Sequence, residues 1–295
     1  MHPHHRLRAA RSLRAVALLV CIVSLVPSTG RLADARRGRI VTLSGFALSV
    51  QPPGRGVFVA AIRLDGSVLT AGVQTRSDSK VLVYGQGSFA DPASSGTVSP
   101  SACADSAFSL YPTSWVTPFN WYFNTGSTPS GISQTSATGA LKAAANNITK
   151  ATNDCGLPDL VSAKNAYKGS TTLNPNISSG SSCLNSDGKS VVGFGTLSSI
   201  YVGFSCWWTI GNDTVEADVK LNKANYTWYV TKPAGCSNKW DVQAVGTHEF
   251  GHVFGLLDLS EATHANLSMS TVIKACQDSE DTLGLGDVLG LEAKY

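Results

Sequence analysis

Residues 36–90 set apolar positions against small ones and are punctuated by turn signals, a pattern of short strands. Gly56-Val57-Phe58-Val59-Ala60-Ala61-Ile62 leads into Leu64-Asp65-Gly66-Ser67-Val68-Leu69, and an Asp-Gly pair between β-prone runs predicts a hairpin. Residues 91–102, opening Asp91-Pro92-Ala93-Ser94-Ser95-Gly96, have the composition of a linker. A different pattern begins at Pro118. Phe119 to Asn124 predicts a strand, and Ala137 to Ala151, with Ala140, Leu141, Ala143, Ala144 and Ile148, predicts an alanine-rich helix packed on one face. Residues 169–190 are rich in Ser, Asn and Gly and predict loop. Ile200–Ile210, Val215–Leu221 and Tyr226–Val230 predict strands. A helix is expected to open near Asp241, whose side chain can cap it, and a short last helix near Asp287, with Val288, Leu289 and Leu291 as its apolar face. Strands and helices in this order give an α+β fold with no internal repeat.

Length and composition fit one large or two smaller domains: 295 residues, 43% hydrophobic and 15% charged. The formal charge of +3 is misleading. Residues 1–35 hold five arginines (Arg6, Arg8, Arg11, Arg14, Arg31) and one acid (Asp34). Taking these from the 23 basic and 20 acidic residues leaves 18 and 19, a net of −1. The body therefore lacks the basic footprint of a nucleic-acid binder. The first 35 residues read as a secretory signal: an arginine leader, a short apolar core from Ala15 to Val26, breaks at Pro27 and Gly30, and a small-x-small site at Ala33-Asp34-Ala35. The alternative, an uncleaved anchor, is disfavoured because no second apolar stretch of spanning length follows. Six cysteines lie beyond the leader: Cys103, Cys155, Cys183, Cys206, Cys236 and Cys276. An even number in an exported chain predicts three disulfides, and the absence of C-x-x-C spacing argues against a thiolate zinc ribbon.

The chemistry concentrates in Thr247-His248-Glu249-Phe250-Gly251-His252-Val253-Phe254-Gly255-Leu256-Leu257-Asp258. Positions i and i+4 share a helix face, so His248 and His252 can direct ring nitrogens at one ion. Glu249 is turned by roughly 100° around the helix, beside the metal rather than on it, where it can take a proton from a zinc-bound water. Gly255 allows a left-handed exit from the helix, after which Asp258 can swing back as third ligand. Three protein ligands leave a fourth position for water, the arrangement of a catalytic zinc. A chance HExxH in a chain of this length is expected on the order of once in several hundred. His264, in a polar run, reads as a surface or structural residue. Trp207, Trp208 and Trp228 read as strand packing in preference to a carbohydrate-binding face.

The segment resembles the metzincin signature, in which a third ligand follows HExxHxxGxx and a methionine turn lies downstream. Leu267-Ser268-Met269-Ser270 stands where that turn would be. Glu216-Ala217-Asp218-Val219-Lys220-Leu221-Asn222 resembles the strand before the active-site helix of matrixin-type domains, and Phe119–Asn124 with the helix after it resembles their start. The likeness covers roughly residues 115–295 and is closest to small bacterial matrixin-like peptidases. It implies a metzincin-like domain over 101–295, with a twisted mixed sheet, an active-site helix, a Met-turn and a C-terminal helix. It also implies His248, His252 and Asp258 as ligands of one catalytic zinc, Glu249 as acid/base and Met269 as an apolar floor. Residues 36–100 would precede that domain as a β-rich pro-segment or accessory region. Most matrixins carry histidine as third ligand; aspartate is used by snapalysin-like enzymes, and its charge should weaken the metal's Lewis acidity somewhat. Cys155-Gly156-Leu157-Pro158-Asp159 resembles the matrixin latency motif, but Asn153-Asp154 replace Pro-Arg and the segment follows the first strand and helix, so a disulfide is expected instead.

The expected function is thus a secreted, monomeric zinc endopeptidase acting on protein or peptide, with no nucleic-acid partner and no stable membrane association once the signal is cleaved. Calcium sites are not legible in the string. The alternative from another class is a secreted, non-catalytic binding module that keeps the fold around a decayed site.

Overall fold

The computed structural model describes residues 40–43, 46–67, 70–86 and 99–295, so the signal predicted in residues 1–35 and most of the predicted linker lie outside the described residues. The strands in chain order are β1 (Ile40–Leu43), β2 (Phe46–Ser49), β3 (Arg55–Arg63), β4 (Thr70–Thr75), β5 (Val81–Gln86), β6 (Phe119–Phe123), β7 (Asn165–Ser170), β8 (Ser190–Gly195), β9 (Tyr201–Ile210), β10 (Asp213–Asn222), β11 (Thr227–Tyr229) and β12 (Lys239–Asp241). The helices are α1 (Gln134–Thr149), α2 (Val242–Val253), α3 (Glu261–His264) and α4 (Leu285–Lys294).

The architecture is α+β around one large mixed sheet, ordered β5-β4-β3-β9-β10-β8-β6-β7. β6, β7, β8 and β10 run parallel to their partners among themselves, while β9 is antiparallel to both β10 and β3. β9 (YVGFSCWWTI) is buried at nine of its ten positions, as a strand covered on both faces must be. Gly203, Ser205 and Trp207 face the helices. Phe204, Cys206 and Trp208 face a second core closed by Phe46, Leu48, Val57, Val59 and Val73.

The residues at 36–100 contribute β1 to β5. The predicted hairpin is the β3–β4 turn, where Gly66 sits at φ +67° and Asp65 accepts from the Ser67 N–H. β3 does not stop at its hairpin partner: it pairs with β9 over residues 55–63 and extends the same sheet as the strands after residue 118.

α1 buries Ala137, Ala140, Leu141, Ala144 and Ile148, the expected face, and Ser133 caps it by accepting from the Ser136 N–H. It packs on α2 so closely that a Cβ added to Gly246 would lie 3.0 Å from that of Ala144. Tyr226–Val230 gives only β11, which pairs with β12 in a separate ribbon. The last helix starts at Leu285, one turn's fraction before Asp287, because Asp287 reaches back to accept from the Gly284 N–H at 2.9 Å. The acids of β10 tie down the loop before β8: Asp218 accepts from the Asn176 and Val191 N–H groups, and Glu216 from Asp187, Gly188 and the Ser186 hydroxyl. Disulfides join Cys103–Cys155, Cys183–Cys206 and Cys236–Cys276, so Cys155 carries no free thiol. No helix among the described residues is long and apolar enough to cross a membrane.

Candidate metal centre

α2 begins where Asp241 accepts from the Gln243 and Ala244 N–H groups. It ends at Gly255, whose φ of +92° lets the Gly255 and Leu256 N–H groups return to the His252 and Gly251 carbonyls. The chain then runs between two clamps. The Leu257 N–H donates to the Ser109 carbonyl, and the Leu259 N–H to the Met269 carbonyl. Asp258 lies between those anchored residues and is directed back at the helix.

His248 and His252 present their Nε2 atoms 2.9 Å apart, and Asp258 Oδ1 is 3.2 Å from one and 3.3 Å from the other. Each imidazole is fixed from behind. His248 Nδ1 donates to the Ser268 carbonyl at 2.8 Å and His252 Nδ1 to the Leu256 carbonyl at 3.0 Å. A carbonyl only accepts, so both Nδ1 atoms must carry the proton, and in the neutral rings both Nε2 atoms are left as lone-pair acceptors. Two acceptors then face each other and a carboxylate, all at most 3% exposed. Without a proton on Nε2, neither carboxylate oxygen of Asp258 has a hydrogen-bond donor. Three converging buried lone pairs are costly unless a cation joins them. The three residues are close enough to share one metal ion. Their separations also match the edge of about 3.3 Å expected for a tetrahedron with bonds of about 2.0–2.1 Å. The donor set therefore fits zinc.

Burial pushes Asp258 up, but positive charge on the two imidazoles, His252 foremost, would outweigh it and hold the carboxyl well below the usual carboxylate range, as a cation among the three would. Glu249 is fully buried on the adjacent side of α2. Burial raises its carboxyl to about 8, opposed by His248 and by the Ser205 hydroxyl, which donates to Oε2. Its Oε1 has no hydrogen-bond partner. It lies against Gly203 of β9, where an added Cβ would come within 2.3 Å. A cation at the neighbouring triad would pull this carboxyl back down.

Met269 is buried beneath α2. Its Sδ would be 2.3 Å from a Cβ on Gly251, so glycine between the two histidines is what lets the methionine reach the helix. Asp287 holds that turn, accepting from the Ser268 and Met269 N–H groups. His264 is remote from the triad and pairs with Asp105 at 2.8 Å. Trp207, Trp208 and Trp228 are buried in the cores and offer no face to a sugar. Four participants were not legible in the sequence: Ser205, Gly203, Asp287 and the clamp at Ser109. Each is brought in from more than 15 residues away by sheet or loop register, and none carries a motif.

No protein-family model matches the chain, and no curated protein matches its sequence.

Proposed function

We propose that the chain is an exported zinc-dependent endopeptidase of metzincin-like type. One observation carries the reading: three buried lone-pair donors meet at one point, and the Glu249 carboxylate lies beside them with one oxygen unpaired. The resemblance of the HExxHxxG…D run and of the Met269 turn to metzincins supports it. Zinc held by His248, His252 and Asp258 would supply Lewis acidity toward a water and the scissile carbonyl. Glu249 accepts the proton from the attacking water and returns it to the departing amine. The Ser205 hydroxyl fixes Oε2 and leaves Oε1 available for that proton. Burial that raises the carboxyl suits a group that must both take and give a proton near neutral pH. The substrate is a protein or peptide, and the disulfides and predicted leader fit an extracellular site of action.

The test pairs metal content with turnover. Zinc per chain is measured by elemental analysis, and hydrolysis of casein or gelatin before and after limited proteolysis between residues 86 and 99. Glu249→Gln should retain zinc and lose about 10²–10⁴ in rate. Wild-type-like hydrolysis by that variant refutes the assigned role. A second reading, a metal-holding binding module without chemistry, is favoured by the near-complete burial of all four site residues. It predicts stoichiometric zinc and no hydrolysis in either state.

A further inference from the structure

β10, β8, β6 and β7 are neighbours in that order, and all four run parallel. From β6 the chain crosses through α1 to β7, on one side. From β8 it goes on to β9 and β10, on the other. Where connections part in this way, a crevice opens outside the carboxyl ends of the strands, the generic place for a ligand in an open parallel sheet. A crevice of about 920 Å³ lies there, within the size range of small-molecule sites. Asn124 follows β6, Ser170 ends β7, Gly195 ends β8 and Lys223 follows β10, and all four line it. None of the metal-centre residues does.

The lining is polar, and its charge has one sign. No Asp or Glu contributes, and Lys223 is the single cation among amides, hydroxyls and glycines. Its Nζ donates to the Ser127 carbonyl at 2.6 Å and has no carboxylate partner among the described residues. That leaves further donors on the ammonium open. The Ser127 hydroxyl accepts from the Phe194 N–H, so the turn that holds the ammonium is itself tied to β8. Asn124 is 8% exposed, and its Nδ2 donates to Asn174 Oδ1 at 3.0 Å, so its own Oδ1 is left to accept from something other than the protein. Glycine at 126 keeps that oxygen uncovered, since an added Cβ would lie 3.5 Å from it. α1 opens at Gln134 on the same crevice, with no acid in its first turn to offset the positive end of the helix.

An ammonium without a counter-ion, set among amides and hydroxyls, matches one carboxylate carried on a hydroxylated frame. A phosphate dianion would call for a second cation, and an apolar ligand would strand the buried amide oxygen. We propose that this crevice is a binding site for a small sugar acid, with Lys223 taking the carboxylate and Asn124 accepting from a sugar hydroxyl. The site is independent of the peptidase reading, and neither requires the other.

The test uses the full chain loaded with zinc, titrated with glucuronate, glucose and inorganic phosphate and followed by calorimetry and amide shifts. Glucuronate should bind saturably and at least about tenfold more tightly than glucose, because a charge-assisted hydrogen bond separates them. Its shift changes should centre on the Gly126, Gly195 and Thr196 amides. Lys223→Met should lose that tenfold, and Lys223→Arg should keep it. Lys189→Met removes one charge outside the crevice and should bind as wild type does. Gly126→Ala, which partly covers Asn124 Oδ1, should weaken glucuronate binding and leave zinc content unchanged. A disaccharide ending in glucuronate tells a glycan terminus, which should bind more tightly, from a free acid, which should bind equally; either result keeps the site. The proposal is overturned if glucuronate binds no better than glucose, or if Lys223→Met binds it as wild type does. Phosphate binding as tightly as glucuronate also overturns it, since that marks a bare anion site.

Discussion

The two ends of α2 bury titratable groups to a similar depth and resolve the cost in opposite ways. At its start, Asp241 is 2% exposed and accepts from two helix N–H groups, and the Asp281 carboxyl is close enough for the two to titrate against each other. Burial raises Asp241 to about 6 and Asp281 to about 7, with the neighbouring Asp278 adding repulsion. Two oxygens can share a proton, so this end needs no ion. At the other end the donors are imidazole nitrogens whose only neutral-state protons are already committed to the Ser268 and Leu256 carbonyls. With neutral rings no proton is left for the space between them, so the three lone pairs call for a cation, either a further proton on one ring or the metal ion proposed above. Donor chemistry, more than burial, is then what would separate a proton-holding cluster from a metal-holding one.

Removing the metal should break the comparison most. A protein held at free zinc about a thousandfold above its dissociation constant gains about 4 kcal/mol, which for a domain of this size is on the order of 10 °C in Tm. Chelation should lower Tm by that much in wild type. His252→Ala should melt low with or without chelator. A wild-type Tm that ignores both zinc and chelator would mean that the triad holds no ion.

The exit from α2 sharpens it. Gly255→Ala puts a side chain at φ +92°, with its Cβ 2.8 Å from the Thr113 carbonyl oxygen. Left-handed strain and overlap together should cost about 2–4 kcal/mol, and the displacement should reach Asp258 three residues on. Gly131→Ala is the control. It has φ +96° but nothing within 4 Å of the added Cβ, so only the strain of about 1–2 kcal/mol applies. Zinc affinity measured by competition should fall in the first variant and hold in the second. If both lose it equally, the clamp around Asp258 is not what positions the ligand.

The legible part of this site is the part written locally. His248, Glu249, His252, the Gly255 exit, Asp258 and the Asp241 cap all lie within 18 residues, where helix periodicity and φ preferences decide geometry. Ser205 and Gly203 reach Glu249 only because β9 lies alongside α2, and a strand's own pattern does not encode its neighbour. The pairing of β3 with β9 had a local trace. Val57-Phe58-Val59-Ala60-Ala61-Ile62 is apolar without alternation, as in a strand covered on both faces, not an edge hairpin of a small detached unit. Disulfide partners were open among 15 pairings and follow from loop positions no residue pattern sets.

The smallest effect belongs to the acidic end. A carboxyl whose folded value is raised keeps its proton after the unfolded chain has lost it. As pH rises from about 4, the ordinary value being 3.8, toward the folded value of about 7, the unfolded state binds fewer protons and stability falls. Above about 7 the loss is complete and the curve is flat. Asp281→Asn keeps a donor for Asp241 and removes one titration, so its stability should fall less across this window. Asp281 is partly open to solvent, so screening reduces the gain at pH 7 to about 1 kcal/mol, roughly 2–4 °C. Melts should be run from pH 4.5 to 7.5 with chelator present, since protons also displace metal from the triad and would add a slope of opposite sign. Parallel curves for wild type and Asp281→Asn would show that the pair holds no proton, and the contrast between the two ends of α2 would then lose its basis.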